Sequence, residues 1–215
     1  MIVSLNEIET MALKATRGAG LAWGLAEDAG KAMRWLAAND LPWLAPLLGR
    51  LDRKDSLAPP RLPMTGGVIA PERHGALLCP LLAGTLLLDL ASNLPMRSLR
   101  IHHIAEPLLV VPFLALVLEL RGEAMSVTWD SVRIDLAGGV CTGGQRTADL
   151  IISEAALVTL APALPAAASR AGRRTGPDVA AVDWARLDSY AARTYVPEGE
   201  VSRRRGAGAE LDDND

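Results

Sequence analysis

Aromatic side chains are scarce in this chain: one Phe, two Tyr and five Trp among 215 residues. An interior built on ring stacking is therefore excluded, and Leu, Val, Ile and Ala must fill the core. Lysine is almost missing as well. Lys14, Lys31 and Lys54 are the only three, so Arg carries nearly all the positive charge. The formal net charge of −3 lacks the basic excess of a dedicated nucleic-acid binder. Only two cysteines occur, Cys79 and Cys141, far apart and in no CxxC spacing. That excludes a zinc knuckle and a disulfide framework. Long apolar runs are lacking too. Residues 76–88 and 107–118 are apolar, but a membrane-spanning helix needs about 20 such residues, so both runs read as buried core. The first ten residues, MIVSLNEIET, show no basic segment followed by an apolar one, so no signal peptide is expected and the cytoplasm is the default location.

What is present fits a globular fold. Half of the residues are hydrophobic and 22% are charged. High Ala, Gly, Pro and Arg together point to a GC-rich bacterial genome. Ser4 and Glu7 form a capping-box pattern that opens a helix, with Leu5, Ile8, Ala12 and Ala15 at helical spacing. Gly18 and Gly20 end it. A second helix is predicted from about Trp23, with Leu25, Ala29, Ala32, Met33 and Leu36 as its apolar stripe and a stop at Asn39 and Pro42. A short apolar stretch over 43–51 is broken by Pro46. Residues 52–67 read as a linker, rich in charge and proline. Residues 73–91 are predicted helical despite Pro80, and 117–121 alternate like a strand. Val127, Trp129, Val132, Ile134 and Leu136 are the inward residues of a hairpin that turns at Asp130-Ser131. ADLIISEA adds a strand, 161–180 reads as a loop, and 183–194 is a final amphipathic helix. The expected fold class is α+β: an N-terminal helical hairpin (1–51), a core over 68–160 with a central antiparallel meander, and a C-terminal helix with an extended polar arm (181–215).

Four stretches bear on function. GAGLAWG (18–24) and GAGAEL (206–211) imitate a dinucleotide fingerprint, but neither follows a strand and the glycine spacing is wrong, so both are rejected. His102 and His103 are candidate catalytic groups. As strand neighbours they should face opposite sides of a sheet and so not share a metal; the alternative is a structural role. Asp89 and Glu106 are their candidate partners. In GGVCTGGQRT (138–147), glycines flank Cys141 and Arg146 follows, which suits a nucleophilic thiol beside a cation. The bland alternative is a hairpin end with a small hydrophobe turned inward. At the C-terminal end, Tyr195, Val196 and Pro197 read as the foot of an arm. Its Arg203 and Arg205 can grip a carboxylate or phosphate beside Gly206 and Gly208; the alternative is a solvated tail. Asp212, Asp213 and Asp215 do not have calcium-loop spacing, so no metal is expected.

VSLNEIETMALKATRGAGLAWGLAEDAG and LDSYAARTYVPEGEVSRRRGAGAELDDND together resemble an uncharacterised bacterial family, the domain of unknown function DUF3726. The resemblance implies that the two terminal segments characterise such proteins. It implies no reaction, cofactor or catalytic residue. Where it leads one to expect a small residue in the final segment, Glu210 stands instead. The N-terminal hairpin also looks like the start of the non-Rossmann malate/lactate dehydrogenases. This chain is too short for such an enzyme, and RHG at 73–75 replaces their Ser-His-Gly element, so that activity is not carried over.

The functional expectation is a protein of small-molecule metabolism that binds a carboxylated anion where the 138–147 loop meets the arginine-bearing arm. Arg146, Arg203 and Arg205 would hold the anion, and Cys141, His102 or His103 would be the reactive group. The competing expectation is a non-catalytic accessory subunit that embraces a partner or a second copy. Neither nucleic acid nor membrane is an expected partner, and no cofactor is named by the sequence.

Overall fold

The computed structural model describes residues 1–53, 56–62, 66–137, 140–141, 147–163 and 176–195. The helical hairpin forms as the sequence predicts. Helix α1 spans Leu5–Gly18 and opens on the capping box: the Glu7 amide donates to Ser4 Oγ at 3.2 Å, and the Ser4 amide donates to Glu7 Oε2 at 2.7 Å. Helix α2 spans Trp23–Ala38 and buries Ala29, Ala32, Met33 and Leu36 on α1 and the core.

Prolines begin helices here rather than break them. Pro46 lies in the first turn of α3 (Leu44–Asp52), and Pro80 and Pro112 lie in the first turns of α4 (Pro80–Asp89) and α5 (Val111–Arg121). A first-turn N–H has no intrahelical partner to lose. Two expectations change accordingly. The helix expected over 73–91 begins only at Pro80. The alternating stretch 117–121 is the last turn of α5, closed by Gly122 at φ 63°. Five residues of alternation at a helix end imitate a strand.

The α+β class holds, and the sheet is mixed. Among the described residues eight strands form it: β1 (Leu57–Ala58), β2 (Val68–Ile69), β3 (Leu77–Leu78), β4 (Arg100–Ala105), β5 (Ala124–Trp129), β6 (Val132–Ala137), β7 (Val140–Cys141) and β8 (Glu154–Pro162). The order is β1-β3-β4-β8-β5-β6-β7, with β2 also on β4. The antiparallel part runs from β4 through β8 and β5 to β6 and β7, with β8 inserted before the predicted hairpin. On the far edge of β4 the pairing is parallel, to β2 and β3. Val127, Trp129, Val132, Ile134 and Leu136 are all buried, as predicted, and Asp130 takes φ 44° at the turn. ADLIISEA divides between α6 (Thr147–Leu150) and the start of β8. Helix α7 (Ala181–Ala191) packs on α1, so closely that a Cβ at Gly18 would collide with the Tyr190 carbonyl. The Met1 ammonium meets Asp178 Oδ1 at 2.7 Å, and Ile2 bridges Asp178. One continuous apolar core joins helices and sheet. No helix among the described residues is long and apolar enough to cross a membrane.

Candidate functional site

The two edges of β4 differ in how they are paired. One edge is zipped to β8 from Arg100↔Thr159 to Ala105↔Glu154, with no pair at His103. The other edge is shared: β2 takes Arg100 and Ile101, and β3 joins only at Ile104. His102 and His103 occupy the gap between them. His103 sits there at φ 50°, a left-handed conformation that costs a non-glycine residue about 1–3 kcal/mol. The strand alternation fails at this point. Ile101 and Ile104 are buried, His102 is half-buried and His103 is exposed. The expectation that the two rings must face opposite ways is therefore corrected: their centroids are 6.2 Å apart with planes tilted by 48°.

The segment after β1 and the loop between β2 and β3 pair to build the wall opposite. Pro60 bridges Pro71, the Arg61 amide donates to the Ala70 carbonyl at 2.8 Å, and the Glu72 amide donates to the Pro59 carbonyl at 2.9 Å. Gly75, at φ 75°, turns the chain back into β3. The enclosed cleft measures about 450 Å³ and is lined by Arg61, Pro71, His74, Gly75, Leu77 and His103, among others. Among the described residues no carboxylate lines it. The guanidinium is donor-only, and each imidazole offers one donor and one acceptor when neutral and two donors when protonated. Among the described residues no group of three His, Cys, Asp or Glu side chains is disposed to hold a metal.

The other predicted residues stand elsewhere. No described hydrogen bond or ion pair joins Asp89 or Glu106 to either histidine. Cys141 ends β7, whose backbone lies four strand spacings from β4, roughly 19 Å. Tyr195 is 63% exposed; its hydroxyl accepts from Lys14 Nζ at 3.3 Å and its ring lies 5.6 Å from that nitrogen. Arg146, Arg203, Arg205, Gly206 and Gly208 lie outside the described residues. Arg61 and His74 were missed by sequence reasoning because the proline-rich stretch around Arg61 reads as linker. For His74 the only signal was the RHG triplet, whose Gly75 makes the turn.

Residues 3–68 match the family model of DUF3726, described as a protein of unknown function. The resemblance seen in the N-terminal segment is thus borne out over α1, α2, α3 and β1, up to the first residue of β2. The DUF3726 stretch supplies Arg61 to the cleft, while His74 and His103 come from beyond it. No curated protein and no solved structure matches the chain.

Proposed function

We propose that the protein binds a small carboxylated anion in the cleft between the β2–β3 loop and β4. The observation that carries this reading is the lining itself: Arg61, His74 and His103 converge on about 450 Å³ with no acid among them. Such a volume falls within the range of small-ligand sites. Arg61 would take the carboxylate through its planar fork of donors. His74 and His103 would donate to remaining oxygens and, in a catalytic version, move a proton at the bound ligand. His103 is held by a strained backbone at a break in strand pairing, which suits a group positioned for a ligand rather than for packing. The anion class is the one expected from the sequence; its address moves from the 138–147 loop to this cleft.

The test is calorimetric titration with acetate, succinate and citrate, on wild type and on Arg61→Ala and His103→Gln. Saturable binding of at least one of them, weakened tenfold or more by Arg61→Ala, is expected, since a charged hydrogen bond contributes about 1.5–3 kcal/mol. Absence of binding to all three, or binding that ignores both substitutions, overturns the reading.

A second reading, the accessory subunit, is favoured by one surface. Helices α4 and α5 are apolar on nearly all sides, yet Leu116 and Leu120 on α5 are 43% and 69% exposed. With Trp35, Leu88 and Phe113, Leu116 lines an apolar cleft of about 210 Å³ rimmed by Asp28, Lys31 and Glu119. Lys31 of one copy would meet Glu119 of another across a two-fold contact. Light scattering with co-purification discriminates: a dimer disrupted by Leu120→Glu supports this reading, and a monomer at high concentration that captures no partner removes it.

A further inference from the structure

Arg50 is held in the fold at a cost. It projects from α3, is only 4% exposed, and leaves both Nε and Nη1 buried without a hydrogen-bond partner. Its single bond runs from Nη2 to Cys79 Sγ at 3.3 Å. Cys79 is the N-cap of α4 and gives that helix no side-chain cap. The register Leu78↔Ile104 sets Cys79 and Glu106 at the same carboxyl end of two adjacent parallel strands. Glu106 is itself 5% exposed, lies at φ 42°, and its carboxyl occupies the space that a Cβ at Gly49 would need. Native proteins rarely bury unsatisfied polar atoms, and a buried charge without an anion costs several kcal/mol. Replacing such a charge with an apolar side chain is often stabilising, so stability does not explain this arginine.

We infer that Arg50 anchors a second anion site, an inner one at the N-terminus of α4, that takes a compact oxyanion. The guanidinium supplies the charge and the unused N–H donors. The first turn of α4 adds its free amides and the positive end of its dipole. Crevices at the carboxyl ends of parallel strands commonly hold ligands. Both unused nitrogens are closed to solvent in the structure, so the anion enters as the small Cys79 side chain turns away from Nη2. Glu106 makes the site sensitive to protons. Burial raises its carboxyl to about 7, against the pull of Arg53. The charged groups near it are Arg53 at the end of α3, whose pull opposes the rise, and Glu154 on β8, which pairs with Arg53 at 3.8 Å; the first turns of α4 and α5 bring no acid. Ionised Glu106 opposes a bound anion, and protonated Glu106 does not.

Sulfate is the probe, because its charge is constant between pH 6 and 8. Millimolar sulfate should raise the Tm of wild type saturably at pH 6, by about 5 °C near saturation, and by less at pH 8. Arg50→Met should fold, melt no lower than wild type without sulfate, and lose the saturable rise. Arg50→Lys should keep most of the fold and lose most of the affinity. Cys79→Ala should retain the effect, and Glu106→Gln should make it equal at the two pH values. Arg61→Ala should leave it untouched, which separates this site from the outer cleft. An equal rise in Arg50→Met would be a general salt effect and overturns the inference. So does the absence of a saturable rise in wild type, or an Arg50→Met protein that melts well below it.

Discussion

At the scale of single residues, the informative positions are those where backbone or charge is held at a cost. His103 is one. Replacing it with Gly removes the left-handed strain, at the cost of a more flexible unfolded chain. We expect a net gain of about 1 kcal/mol in urea unfolding together with weaker carboxylate binding, the usual exchange at a functional position. Equal or lower stability would mean that the imidazole packs favourably enough to cancel the strain. Glu106 gives a pH dependence whose sign follows from linkage. Its carboxyl titrates at about 7 in the folded protein and near 4.5 when unfolded. The folded state therefore holds the extra proton between those values, and stability is full below pH 4.5 and falls as pH rises through 7. Urea midpoints at pH 5 and pH 8 should differ less in Glu106→Gln than in wild type. None of this was legible beforehand. Strand alternation presumes regular φ, and nothing local in the sequence marks a left-handed histidine. Arg50 meets Cys79, and Glu106 meets Gly49, only through the fold.

At the scale of elements, the sequence was readable where a local device sets a boundary. The Ser4–Glu7 cap, the Asp130-Ser131 turn and the burial of alternate residues on β5 and β6 all appear as expected. It misled where apolar residues lie all round a helix, because periodicity then vanishes; the end of α5 was read as a strand for that reason. Local propensity can also give the wrong sign for a mutation. Gly18 is the last residue of α1, and helix propensity alone predicts that Ala would stabilise by about 1 kcal/mol. The added methyl would instead meet the backbone carbonyl of Tyr190 on α7, which cannot swing aside like a side-chain end. Gly18→Ala should cost about 1–3 kcal/mol, visible as a lower Tm. A higher Tm would show that α7 slides over α1 freely.

At the scale of the whole molecule, the strand order is the least legible feature. Four of the described strands have two residues each; three of them, β1, β2 and β3, pair in parallel to one another or, across α4, to β4. Pattern reading weighs long runs and near neighbours, and these have neither. The same topology bears on the segment that matches DUF3726. Residues 3–68 hold the helical hairpin and α3, but their apolar faces are completed by later parts of the chain. The α1 surface is covered by α7, the Val3 amide donates to the Pro177 carbonyl at 3.3 Å, and Asp52 accepts from Arg186 and Tyr190 at 2.9 and 2.7 Å. Arg50 on α3 is buried with its hydrogen bond to Cys79, and the Glu106 carboxyl packs against Gly49 beside it. A fragment of residues 1–68 would thus expose the residues that meet α7 and the sheet, with too small a core left to offset chain entropy. We expect this fragment to show weak helicity by circular dichroism and no cooperative thermal transition, whereas the full chain melts in one step. A sharp melt of the isolated fragment would show instead that the hairpin is an independent unit on which the rest of the fold is built.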